Sequence, residues 1–389
     1  MGPYRRGLRP REIPLLVGIV LLLVANGVLG VVRYQEIAEA RFQRRLAEEV
    51  PVLKAFVERT RGLRFKAPVP MRFLDDEDFL DAYVDGGEET ASGTDEIEYD
   101  VAKTLSALHL IEDPDDFYAD ADTAVAEGVV GFYDPERDAL FVRGRRLTSF
   151  TRLVIVHELV HALQDQHFDI HRPEYDTYDD EHIPAWRALV EGDAVRVEQA
   201  YRASLTAEER SRLDREEASA FGGLSPDVPD VLYALLGFPY EVGPPFVEAV
   251  VDAAGQARLD RAFAAPPTSS EQVLHPEAYL KGDAPDEVAT PTVAGRMVDR
   301  GAIGELGFIL MLGEGSPDLV NDAAVVGWGG DRYATYVEGQ RPCVLADVVM
   351  DTAKDRDELF AALTTWGAKH TGTQVTRTSA RALRLRTCA

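Results

Sequence analysis

The chain has 389 residues, 46% hydrophobic and 28% charged, a composition that excludes a disordered or collagen-like protein and suits two packed subdomains. Sixty-seven acidic residues against 41 lysines and arginines leave a net charge of −26, which repels phosphate backbones and excludes nucleic acid as an expected partner. Two cysteines exclude a disulfide scaffold and a four-thiolate zinc site.

Ile13 to Val32 carries no charge, and twenty residues at 1.5 Å rise make roughly 30 Å of helix, the thickness of a hydrocarbon core. Arg5, Arg6, Arg9 and Arg11 precede it, so the run predicts an uncleaved anchor with a cytoplasmic N-terminus and an extracytoplasmic remainder. A cleaved signal peptide is the alternative, with Ala25-Asn26-Gly27 as its cleavage site, although signal-peptide cores are usually shorter. Tyr34 to Leu63 has a helical stripe with an expected break at Pro51, and Val69 to Leu74 suggests a strand. Asp75 to Asp122 holds eighteen acidic residues and one basic residue, Lys103, which reads as a solvated surface.

Gly128 to Arg143 reads as a hairpin turning at DPERD. A helix follows, capped by Thr148 or Ser149 and running from Thr151 to Phe168; another runs from Pro184 to Leu205. The first contains His157-Glu158-Leu159-Val160-His161. Histidines four apart share one helix face, so both can reach a single Zn²⁺. Glu158 points beside such a metal and is placed to take a proton from its water as general base. The flanks are apolar, and buried imidazoles beside a carboxylate are costly unless they coordinate something.

A third ligand is required, leaving a position for water. His167 has the spacing of an H-E-x-x-H-x-x-G-x-x-H site, but Gln164 stands where that pattern needs glycine. Glu191, thirty residues after His161 on the second helix and flanked by Leu189, Val190 and Ala194, is the expected ligand. A donor for the oxyanion is also needed; Tyr201, Tyr233, Tyr240 and His275 are the candidates. His275, before Pro276 and therefore expected in a turn, is preferred as the catalytic partner of Glu158.

The run H-E-L-V-H-A-L-Q-D followed by Glu191 resembles the gluzincin zinc metallopeptidases, and W-x-x-x-x-E-G-x-A resembles the wider peptidase MA-like group. The resemblance covers about residues 128–205. It implies His157, His161 and Glu191 on one Zn²⁺, Glu158 as base and Asp165 as a supporting acid. Two positions depart from it: the histidine-to-glutamate spacing is wider than thermolysin's, and Val195 stands where an acid is expected, with Asp193 nearly across the helix from Glu191. Zincin helices commonly lie under a sheet whose edge pairs with an extended substrate; that edge is expected in Val129–Tyr133 or Ala139–Arg143.

Toward the C-terminus, Arg296 to Leu312 reads as a helix, Gly327 to Tyr333 as a glycine turn entering a strand, and Asp357 to Trp366 as a short helix. Cys343 and Cys388 fit either a disulfide or two free thiols. The expected fold is α+β and zincin-like. A small N-terminal sheet lies over a mainly helical catalytic core, with a C-terminal α/β extension and one transmembrane helix. The expected organisation is a tail at 1–12, an anchor at 13–32, juxtamembrane helices at 33–66, a metallopeptidase domain at 67–282 and a C-terminal subdomain at 283–389. The expected function is a membrane-anchored zinc endopeptidase acting on a peptide or protein. The alternatives are an extracytoplasmic binding or assembly protein with a structural or degenerate zinc site, and a zinc hydrolase of non-peptide substrates. No sequence feature specifies an oligomeric state.

Overall fold

The computed structural model describes residues 13–86, 100–172, 181–222, 225–315 and 323–389, with side chains described from residue 33 to 84 in the first segment and throughout the others. The expected cytoplasmic tail at 1–12 and part of the acidic stretch lie outside them.

The N-terminal expectations are corrected. Helix α1 (Ile13–Arg61) runs for 49 residues through both the apolar run and the segment expected to break at Pro51. Among the described residues, no helix is long and apolar enough to cross a membrane, so the expected transmembrane helix is withdrawn from the fold. No glycine or proline stops the helix where the apolar run meets Arg33, so the two segments form one element. Pro51 costs the helix a hydrogen bond, but it faces solvent. Packing on both sides of it, by Phe42 and Leu46 before and by Leu53 and Val57 after, holds the helix together.

Helix α5 (Ser149–Phe168) begins where Thr148 accepts a hydrogen bond from the Thr151 amide at 3.1 Å, the expected N-cap. Fourteen of its residues are buried, because it has neighbours on every side. Ile155, Val156, Leu159, Val160 and Leu163 share a core with α1, with α6 (His182–Ser204), and with Leu140 and Val142 of β3 (Ala139–Arg143). Each such side chain contributes roughly 1.5–3 kcal/mol by leaving water. The small sheet has the order β1 (Met71–Leu74), β3, β2 (Gly131–Asp134), with β1 parallel and β2 antiparallel to β3. Above it lies α2 (Asp76–Gly86).

Helix α8 (Asp230–Ala254) packs along α6 despite internal prolines at 239, 244 and 245. The contact depends on two glycines. A Cβ on Gly192 would stand 2.3 Å from the Gly243 carbonyl, and one on Gly243 would stand 2.3 Å from the Ala188 oxygen. Real atoms cannot approach so closely, so only glycine allows these backbones to cross at this distance.

The second sheet is antiparallel throughout, in the order β4 (Arg296–Gly301), β5 (Trp328–Glu338), β6 (Arg341–Met350), β8 (Ala382–Cys388), β7 (Gln374–Arg377). It shares a core with α12 (Gly304–Leu312) and α13 (Ala353–Gly367). The expected helix over Arg296–Leu312 is therefore a strand and a shorter helix. They are separated at Gly301 and at Gly304, whose φ of +71° only glycine adopts without strain. Helix α3 (Val101–Ala107), from the acidic stretch, also packs on this sheet; Thr104 Oγ1 lies 2.5 Å from Asp299 and 2.7 Å from Thr335. Cys343 and Cys388 face one another on β6 and β8 and form a disulfide. The described architecture is α+β, with thirteen helices and two sheets, in place of the expected zincin-like arrangement with an α/β extension.

Candidate metal and catalytic site

His157 and His161 lie one turn apart on α5, and Glu191 faces them from α6. His157 Nε2 is 3.0 Å from His161 Nε2 and 3.0 Å from Glu191 Oε2, which is 3.3 Å from His161 Nε2. Tetrahedral ligands at 2.0–2.1 Å from a zinc ion stand about 3.3 Å from one another, so the three atoms have the spacing of a zinc face.

The hydrogen bonds behind the rings show what these atoms carry. His157 Nδ1 is 3.1 Å from Glu198 Oε2, an acceptor only, so Nδ1 holds the proton. His161 Nδ1 is 3.0 Å from Gln164 Oε1. That amide cannot be reversed, because its nitrogen donates to Val190 O at 2.9 Å and Asp193 Oδ2 at 3.1 Å. With both Nδ1 atoms donating, both neutral rings present an Nε2 lone pair to each other and to a carboxylate. Three acceptors this close repel unless a cation lies among them. A proton shared within the group is the other way to relieve that repulsion. Burial opposes protonation of His157, but hydrogen bonds to Glu191 and Glu198 raise its pKa well above the ordinary value. Burial would raise Glu191, yet the two imidazoles hold it well below the usual carboxylate range.

Asp193 is fixed in turn by Arg61, at the end of α1, whose Nε donates to Oδ2 at 2.7 Å. Arg61 Nη1 lies 2.7 Å from Asp260 Oδ1, and both Arg61 and Asp193 are fully buried. Asp193, which seemed misplaced across the helix from Glu191, thus supports the other imidazole through Gln164.

Glu158 is buried beside the cluster without joining the His157, His161 and Glu191 group. Burial raises its pKa, while His157 and His161, and more weakly the nearby Tyr133 backbone, pull it down. Tyr133 belongs to β2, which with β1 forms the two edges of the small sheet, whereas β3 is the central strand. Arg143 N donates to Val130 O at 2.9 Å. By alternation in an antiparallel pair, the backbone groups of Gly131 and Tyr133 then face away from β3. The fit is close: a Cβ on Gly131 would lie 2.6 Å from Val154 Cγ1.

Tyr240 approaches from α8. Its ring centroid is 6.0 Å from that of His157, and desolvation followed by the charges of Glu191 and Glu158 raises its pKa well above the ordinary phenol value. The residue as a whole remains 46% exposed. Tyr83 of α2 lies edge-on to Phe132 of β2, and its phenol is within electrostatic reach of Arg187, Glu191 and Glu158.

His275 is elsewhere. It sits between α10 (Ser270–Leu274) and α11 (Pro276–Lys281), with Nε2 2.9 Å from Glu305 Oε1, and its other charged neighbours are Glu277 and Glu271. The structure brings Tyr240 to the cluster and leaves His275 outside it. His167 Nε2 bonds to Arg64 O at 2.8 Å, and Asp165 accepts from the Tyr133 hydroxyl at 2.8 Å rather than from a histidine. Glu198 and Gln164 supply that support. Glu198 follows Glu191 by seven residues, two helical turns, a spacing that could have identified it.

A family model, a domain of unknown function (DUF8575), matches residues 291–387, which span the second sheet. No curated protein and no solved structure matches the chain.

Proposed function

We propose that the protein is a zinc-dependent peptidase, with His157, His161 and Glu191 holding one Zn²⁺. The observation that carries this reading is the convergence of two imidazole lone pairs and a carboxylate oxygen within 3.3 Å, both rings being held in the required tautomer from behind. A zinc ion there supplies Lewis acidity to a carbonyl and to a water. Glu158 accepts a proton from the attacking water as its oxygen bonds to the peptide carbon. The same carboxyl returns that proton to the amide nitrogen as the C–N bond breaks, leaving a carboxylate and an amine. Tyr240 donates a hydrogen bond to the carbonyl oxygen as it gains charge. Gly131 offers outward backbone groups to an extended chain, so the β2 edge aligns the peptide beside Glu158. The Cys343–Cys388 disulfide supports work in an oxidising compartment.

Metal analysis of the purified protein tests this directly. One zinc per chain is expected, with peptide cleavage lost on chelation and restored by zinc. Glu191→Ala should empty the site, since two remaining ligands hold zinc poorly. Full zinc content in that variant would remove Glu191 from the ligand set; zinc without any peptide cleavage would favour a structural site.

A further inference from the structure

Helix α6 carries three arginines. Arg196 pairs with Glu248 at 3.1 Å, and Arg202 pairs with Asp214 and Glu217, each at 2.7 Å. Arg187 is exposed and has no side-chain partner among the described residues. In a chain with a net charge of −26, an arginine left unpaired on the helix that supplies Glu191 stands out. It lies one turn before Glu191, and residues four apart on a helix face the same way with Cβ atoms about 6 Å apart. Its charge reaches the Tyr83 phenol, as do those of Glu191 and Glu158, so the guanidinium and the cluster have α2 as a common neighbour. Glu191 does not neutralise it, because that carboxylate is turned to the two histidines.

We propose that Arg187 anchors a carboxylate of the substrate. About 6 Å along an extended chain is roughly two residues, so the carboxylate falls within two residues of the scissile bond. Either an acidic side chain or the free C-terminus of a peptide supplies it. The planar guanidinium suits both, through two parallel hydrogen bonds. This assignment rests on the peptidase reading and names its substrate class: peptides carrying a negative charge near the cleaved bond.

Two matched peptide pairs test it on the zinc-loaded protein, one pair differing by Glu against Gln beside the scissile bond and the other by a free against an amidated C-terminus. In at least one pair the acid form should have a KM lower by about tenfold or more, the scale of a charge-assisted hydrogen bond. Arg187→Gln should collapse that ratio toward one, and Arg187→Lys should restore part of it. The pair that shows the effect identifies the source of the carboxylate. A ratio near one in the wild type, or a ratio that survives Arg187→Gln, overturns the assignment. If the wild type cleaves no peptide, the peptidase reading fails, and the affinities of the same pairs for the zinc-loaded Glu158→Gln protein decide Arg187 by the same ratio.

Discussion

His157 and His275 each lie beside a carboxylate at nearly the same distance, 3.0 Å to Glu191 and 2.9 Å to Glu305. Around His157, every polar group is directed toward one point: a second imidazole arrives from the same helix, and Glu198 and Gln164 occupy the far sides of both rings. Around His275 stand Glu305, Glu277 and Glu271 with no second imidazole, and the carboxyls grouped with Glu305 are spent on the backbone. Asp331 accepts from the Ile303 and Gly304 amides at 2.8 and 2.9 Å, capping α12, and Glu181 accepts from the Ser270 amide at 2.8 Å. A histidine–glutamate pair alone therefore says little about chemistry. What distinguishes the first cluster is a third donor and fixed tautomers.

The sharpest way to break this comparison is to substitute both clusters and measure hydrolysis. Glu158→Gln keeps the shape of the side chain but cannot take a proton, so cleavage should fall by about a hundredfold or more with zinc content intact. His275→Gln should leave the rate near that of the wild type and lower stability by about 1–3 kcal/mol, because Glu305 is fully buried and already has one oxygen without a partner. A His275→Gln protein that folds, holds zinc and loses cleavage as deeply as Glu158→Gln would restore His275 to the mechanism.

A smaller effect separates the carboxylates behind the two histidines. Glu198→Gln should weaken zinc binding by about 10- to 100-fold, the range seen when a ligand's outer partner is altered. Glu305→Gln, made behind His275, should leave zinc affinity unchanged. Equal losses in a competition titration would mean that the two clusters are not independent.

The helix that carries His157 and His161 could be read from the sequence because its signals are local: Thr148 caps it, the apolar flanks bury it, and a four-residue spacing aligns its histidines. Glu191 was legible for the same reason, as an acid on an apolar face, and the hairpin as two β-prone runs around DPERD. What stayed hidden depends on how distant elements meet. Tyr240, one of the four candidate donors, lies on a helix with three internal prolines, so no periodic pattern set it above the others, and its approach to Glu191 depends on the Gly192–Gly243 crossing. Gln164 failed a glycine test and for that reason drew no further notice, yet its side chain ties His161 to Asp193 and Arg61, a residue 100 positions upstream in sequence number. The boundary at Val32 was not legible because a run of apolar residues sets no end of its own; the helix goes on past Val32 into charged sequence.

The slightest expected effect concerns acid, and it would sharpen the account of the second cluster. Glu181 is pushed up to about 8, chiefly by desolvation and then by Asp331 and Glu305, against the Ser270 hydrogen bonds. Glu271 is likewise raised to about 8, by desolvation and then by Glu305, Asp351 and Asp283, with His275 opposing. Each carboxyl holds its proton more tightly when folded than when unfolded, where its pKa is 4.5. Their contribution to stability is therefore complete below pH 4.5 and drains away as the pH rises to about 8. His275, raised by Glu305, has the same sign, its contribution present below 6.5 and lost as the pH rises through its folded value. Glu181→Gln cannot ionise, so it should lose less stability than the wild type between pH 5 and 8, by about 1–3 kcal/mol after allowing for its partial exposure. Urea unfolding of both proteins at the two pH values measures the difference. Parallel changes in the two proteins would mean that Glu181 stays ionised in the fold, and that the cluster at α12 tolerates charge as the cluster at His157 does.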